Sequence, residues 1–180
     1  MTNNPMANLK TKLRGQQTSL PARASTKHIL LSALGAFIAI GVIAAGSNSP
    51  NALLIMGSFG GTCILLFGFP DSPFAQPRNV ILGHTFSYAI GLIVTKLLGA
   101  HWWSLGLALG ISIAIMMLAG LVHPPAGANP VIVYLSFQYT NIHPGWHSIL
   151  FPTFFGATAL VAVALLFNNL TRDEAYPRYW

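Results

Sequence analysis

The chain has 180 residues, 53% of them hydrophobic and only 7% charged, with a mean hydropathy of +0.60 and a formal net charge of +6. Ordinary soluble domains carry roughly 25% charged residues, so this composition belongs in a lipid bilayer. One cysteine and three acidic residues exclude disulfide frameworks, Cys-rich metal sites and paired carboxylates, so neither an enzyme, nor a metal centre, nor a cofactor is expected.

Residues 1–28 hold Lys10, Lys12, Arg14, Arg23 and Lys27 and no acidic residue. This placement reads as a positive-inside signal that keeps the N-terminus cytoplasmic, and it argues against nucleic acid as the partner of the positive charge. The apolar run that follows is already long enough to span, which disfavours a secretory signal peptide. A plastid transit peptide is the other reading of this basic, Ser/Thr-containing stretch. The expected location is thus a bacterial-type inner or plasma membrane, or a plastid envelope if the stretch is a transit peptide.

Five windows are long and apolar enough to cross a hydrocarbon core: 29–46, 52–69, 80–98, 104–122 and 149–167. Their short connections predict one all-α transmembrane domain over 29–168, built of five long helices, and a short polar tail over 169–180. Lys96 is the one lysine inside a window; it lies near an end, where its side chain reaches the interface.

The second window contains "GSFGGT", residues 57–62. Its glycines either break the helix or form a close contact through Gly57 and Gly61, a GxxxG pair repeated by Gly106 and Gly110 in the fourth window. Both readings stay open, with Ser58, Gly60 and Gly61 lining the break in the first. The two pairs also suggest a homo-oligomer, a dimer before a higher assembly. Between windows two and three, "FPDSPFAQPRN" places Ser72 as the cap of a turn begun by Pro73, Pro77 as its end and Asn79 as the cap of the third helix. Gln76, Arg78 and Asn79 in a row could receive an anion, Arg78 with a planar two-donor fork; the alternative for Arg78 is a positive-inside anchor. Along the third helix, His84, Tyr88, Gly91 and Thr95 recur every three or four residues, and that face should look into the bundle.

"HPPAGANP", residues 123–130, interrupts the chain most firmly. Pro124 and Pro125 push His123 and Pro124 out of helical dihedrals, so the fourth helix should stop near Val122. Asn129 reads as an N-cap and Pro130 as the first residue of a short helix through about Tyr139, roughly 16 Å long and half a membrane thick. Such a half-helix aims free backbone N–H groups at the break and favours an anion, which the small residues around Gly127 let approach. Halves 29–98 and 104–167 each read span, interrupted segment, span, the pattern of an inverted repeat with its site near the bilayer midplane. His28, His101, His143 and His147 fall near interfaces, with Trp102, Trp103 and Trp146 as belt anchors.

The blocks "GSFGGTCILLFGFPDSPFAQPRNVILGH" (57–84) and "HPPAGANP" together resemble the HPP family of small integral membrane proteins, over residues 27–168. Members from photosynthetic lineages are associated with nitrite transport; others are uncharacterised or fused to regulatory nucleotide-binding domains. The family is usually described with four spans, against five windows and an interrupted sixth segment here. The resemblance implies a carrier of a small monovalent anion, nitrite before nitrate, formate or bicarbonate. The expected substrate-binding set is His123, Pro124, Pro125, Gly127, Asn129, Ser58, Gly60, Gly61, Gln76, Arg78, Asn79 and His84. An anion channel of the same fold, and a membrane scaffold or sensor whose HPP turn only packs helices, are the competing expectations.

Overall fold

The computed structural model describes residues 9, 12–13, 19–47, 55–140 and 143–180. Lys10, Arg14 and positions 52–54 of the second window lie outside them. Among the described residues the chain is all-helical, with α1 Thr26–Gly46, α2 Ser58–Gly68, α3 Pro77–Leu98, α4 Trp102–Leu118, α5 Ala128–Tyr139 and α6 Trp146–Thr171. Two 3-10 turns, Pro73–Ala75 and Pro124–Gly127, precede α3 and α5.

Three helices, α1, α3 and α6, are long and apolar enough to cross a membrane, where five long ones were expected. α2 is a six-residue α-helix closed by a π turn, Ile64–Gly68, and α4 has 17 residues. α4 stops at Leu118, ahead of Val122, because Gly120 adopts φ +64. The Gly120 N–H then donates to Met117 O (3.3 Å) and the Leu121 N–H to Met116 O (2.8 Å), a paired closure that only a left-handed residue permits. The helix has therefore ended before the prolines are reached.

α2 ends inside the bundle and still satisfies its last carbonyls. Asn168 Nδ2 donates to Leu66 O (3.0 Å), Ser32 Oγ (2.7 Å) and Arg172 to Phe67 O, and His28 Nε2 to Gly68 O (2.8 Å). A helix C-terminus has unpaired carbonyls and a partial negative charge, so a guanidinium suits it. Arg172 also donates to His28 Nδ1 (3.1 Å), which places the start of α1 and the end of α6 at one end of the bundle. At the other end, Lys96 Nζ lies over the rings of Phe137 (5.5 Å) and Trp146 (5.6 Å). α5 thus runs beside α3 to the Lys96 end, and α6 returns to the His28 end.

The core gathers Ile43, Phe59, Leu66, Phe67, Leu92, Val133 and Leu160. α4 buries Ser104, Ala108, Ser112 and Met116, one residue in four, so a narrow stripe of small side chains meets its neighbours. The tail is a strap: Tyr176 Oη donates to Ala75 O (2.7 Å), Tyr179 Oη to Pro73 O (3.0 Å), and the Arg178 N–H to Gln76 Oε1 (2.8 Å). Burial holds the Tyr176 phenol above its ordinary range, so it remains a donor.

Candidate functional site

Four segments converge on the first third of α3. α2 contributes Ser58 and Thr62, α3 Asn79 and His84, the turn before α5 His123, and α5 Asn129, all buried. The face predicted on α3 is real: His84, Tyr88, Gly91 and Thr95 are all buried. His84 is seven positions after Pro77, about 10 Å along the 22-residue helix. That puts the cluster nearer the His28 end than the midplane expected from the sequence.

Glycines allow the approach. A Cβ on Gly83 would lie 2.9 Å from His123 Cβ and 3.1 Å from Leu121 O, and one on Gly91 would lie 2.8 Å from Pro130 Cα. Gly61 faces Pro125 at 3.3 Å by the same measure. Asn79 Nδ2 then ties the start of α3 to Val122 O (3.0 Å) and, more weakly, Gly120 O (3.4 Å).

Within this frame, four polar side chains form one chain of hydrogen bonds with a fixed direction. His123 Nδ1 is 2.7 Å from Phe74 O; a carbonyl only accepts, so Nδ1 carries the proton and Nε2 is an acceptor. Nε2 receives the Thr62 hydroxyl at 2.9 Å. Thr62 Oγ1 in turn accepts from His84 Nε2 at 2.7 Å. His84 Nδ1, left as an acceptor, receives Asn129 Nδ2 at 3.1 Å, and the same amide donates to His84 O at 3.0 Å. With both histidines neutral, each has one tautomer, set by its partners. Their rings meet at 4.9 Å between centroids, with Phe59 edge-on to His84 at 5.2 Å. Three buried polar atoms at this locus have no hydrogen-bond partner among the described residues: Ser58 Oγ, Asn79 Oδ1 and Asn129 Oδ1.

The sequence expectations meet this geometry unevenly. Ser58, Asn79, His84, His123 and Asn129 come together, with Gly61 and Pro125 as the packing contact beside them. Asn129 is not an N-cap: Gly127 occupies that position and helical structure already begins at Pro124, so Asn129 sits inside the first turn and its amide reaches α3. Asn79 is not a cap either; Gln76 precedes α3, Pro77 is its first residue and Asn79 faces the HPP turn. The expected cradle of free N–H groups at the break is also absent. Pro124 and Pro125 have none, and the Ala126 N–H is bonded to His123 O (2.9 Å). Gln76 is spent on Pro70 O, Ser72 O and Arg178 N. Pro124 and Gly60 are exposed, Gly127 is half-buried, and Arg78 is exposed at the start of α3 without a hydrogen bond to the cluster. Arg78→Lys should therefore change apparent affinity in an uptake assay less than twofold, against RT ln 2 of about 0.4 kcal/mol; a larger loss would return Arg78 to the site.

Thr62 was the residue missed. It lies in the quoted "GSFGGT", one turn after Ser58, a spacing that puts both on one helix face.

The family described as "HPP, transmembrane region" matches residues 21–177. A transmembrane protein of Dictyostelium discoideum is 34% identical over 177 residues, 94% of this chain and 56% of that protein. A second transmembrane protein of the same organism is 34% identical over 131 residues, 71% of this chain and 45% of that protein. The chain thus spans about half the length of these curated relatives. No solved structure matches it.

Proposed function

Because the chain belongs to the HPP transmembrane family, we propose that this membrane protein is a transporter, not an enzyme, for a small monovalent anion, with nitrite the first substrate to test. The observation that supports this reading is a buried polar cluster, Ser58, Thr62, His84, His123 and Asn129, set between two interrupted helices of an apolar bundle. Ionisable groups at membrane depth are costly and mark pathways for ions or protons. A helix that only packs has no need of two histidines joined through a hydroxyl. The donor the cluster offers an anion is the Ser58 hydroxyl, which has no partner among the described residues.

The halves 29–98 and 104–167 act in this reading as inverted repeats around the cluster, α1, the short α2 and α3 in one and the 17-residue α4, the short α5 and α6 in the other. Both termini face the cytoplasm, since Arg172 and His28 share one end of the bundle and the basic N-terminal stretch precedes His28. The membrane is a bacterial-type inner or plasma membrane, or a plastid envelope. The protein assembles as a homodimer through Gly106 and Gly110, which are exposed on α4 and where an added Cβ would meet nothing within 4 Å among the described residues. Native mass measurement from lipid nanodiscs should give twice 19.3 kDa plus lipid; monomer alone would remove the dimer.

Uptake of labelled nitrite, nitrate, formate and bicarbonate into vesicles holding only this protein tests the function. Saturable uptake of at least one anion above protein-free vesicles is expected. No uptake of any of them would leave the scaffold reading in its place.

A further inference from the structure

The hydrogen-bond chain has a second complete arrangement, one proton richer. Thr62 Oγ1 lies 3.2 Å from Ser58 O as well as 2.9 Å from His123 Nε2. In the neutral state its hydroxyl hydrogen points to Nε2. A proton arriving on His123 Nε2 would turn that nitrogen into a donor, and the Thr62 hydroxyl would rotate its hydrogen to Ser58 O. Thr62 Oγ1 would then accept two N–H groups, from His84 Nε2 and His123 Nε2, as a hydroxyl oxygen with two lone pairs can. His123 would be a fully hydrogen-bonded imidazolium, with Nδ1–H still on Phe74 O. No other bond in the chain has to break.

His84 has no equivalent alternative. Its Nδ1 faces the Asn129 amide N–H, and that amide is held in place by its second bond to His84 O. A proton on Nδ1 would set two donors against each other. The chain therefore distinguishes two histidines whose rings nearly touch, and only His123 can take the proton without loss.

The surroundings decide what must accompany the proton. The groups in contact with His123 are the His84 ring from α3, the Thr62 hydroxyl from α2 and Phe74 O from the 3-10 turn before α3, and the other polar side chains buried at this locus, Ser58, Asn79 and Asn129, are all uncharged. Cys63 and Tyr88, the nearest other titratable side chains along these helices, are a thiol and a phenol whose ordinary ranges lie above neutrality. Of the three carboxylates, Asp71 and Glu174 are engaged with Arg178 and Asp173 is exposed in the tail. An imidazolium here has no carboxylate to neutralise it, and an unpaired buried charge is prohibitive.

We infer that His123 takes up one proton together with one substrate anion, the Thr62 hydroxyl acting as the rotor that admits the proton, so that transport is electroneutral proton–anion symport. This rests on the transporter reading and adds the coupled ion to it. The proton comes from water on the loading side, forms one N–H bond at Nε2, and leaves by the reverse step with the anion on the other side. Thr62 is a positioning residue, and its hydroxyl gains and loses no proton overall.

The test uses the wild-type protein in vesicles, with nitrite as the probe and protein-free vesicles subtracted to remove passive nitrous acid leak. An inward proton gradient should raise internal nitrite about tenfold per pH unit, while a potassium diffusion potential of either sign changes nothing. Uptake that follows the potential, or that ignores the pH gradient, overturns symport but leaves transport standing. No uptake at all overturns the transport reading and the symport with it. Nitrogen-15 NMR of labelled imidazoles supplies an independent readout. Without anion at pH 6, His123 should carry a proton on Nδ1 alone and His84 on Nε2 alone; saturating nitrite should protonate both nitrogens of His123 only. Thr62→Ser should retain that response and Thr62→Val should lose it. A His123 that stays neutral with nitrite, or is charged equally without it, overturns the proposal, as does a Thr62→Val protein that responds like wild type.

Discussion

Asn129→Leu is expected to abolish uptake in a protein that still inserts. Asn129 is wholly buried, and its amide makes two bonds to α3, to His84 Nδ1 (3.1 Å) and His84 O (3.0 Å). Leucine fills similar space but leaves the ring nitrogen as a buried acceptor with nothing to accept. Such an orphan costs about 1–3 kcal/mol, lowered by whatever reorientation the membrane-embedded chain allows. The functional loss is larger than the stability loss, because the Asn129 donor is what holds the His84 proton on Nε2. With that donor gone, His84 can turn over its tautomer, and the bond to Thr62 reverses or breaks. A fall in uptake of at least about tenfold, equivalent to 1.4 kcal/mol, is expected, with a modest drop in thermal stability in detergent. Wild-type uptake by the folded variant would remove Asn129 from the site.

Glycine-to-alanine changes should split by sign. In a helix alanine is favoured by about 0.5–1 kcal/mol, so where space is open the change stabilises. Gly60 and Gly41 have nothing within 4 Å of an added Cβ among the described residues, and both should gain. At Gly91 the same atom would sit 2.8 Å from Pro130 Cα, a backbone atom that cannot rotate away. At Gly83 it would meet His123 Cβ at 2.9 Å. Overpacking costs about 1–3 kcal/mol, which exceeds the propensity gain. Gly91→Ala and Gly83→Ala should therefore lower the unfolding midpoint while Gly60→Ala and Gly41→Ala raise it. Gly83→Ala should also impair uptake beyond its effect on stability, since the atom it displaces belongs to His123. Equal shifts at all four positions would mean that α3 and the HPP turn are not in contact as described.

How much of this was legible in the sequence follows from the range of each interaction. The inward face of α3 was, because a 3–4 period on one helix needs no partner to be read. So were the turn capped by Ser72 and the end of α5 near Tyr139. The roles of Asn79 and Asn129 were not. Each stands near a helix start and carries a capping side chain, so local reasoning assigned a local bond, yet each amide crosses to a segment more than 40 positions away. The free N–H groups expected at the HPP break fail for a local reason that was readable: two successive prolines supply no donors. The end of α4 was equally readable from Gly120, had a left-handed closure been weighed beside the prolines that follow it. The link from Thr62 to both histidines spans 22 and 61 positions and exists only once three helices are packed.

The capped end of α2 has a consequence for how the chain is assembled. Its carbonyl at Leu66 takes its side-chain donor from Asn168, 102 residues later, Phe67 O adds Arg172, 105 residues later, to the Ser32 hydroxyl it already has, and His28 waits for Arg172 across 144 positions. Until α6 is in place, α1 alone serves the end of α2, through Ser32 on Phe67 O and His28 on Gly68 O, and Leu66 O lacks its Asn168 donor. The last helix completes the first ones. A chain cut before Arg172 lacks the side chain that bonds both Phe67 O at the end of α2 and His28 at the start of α1.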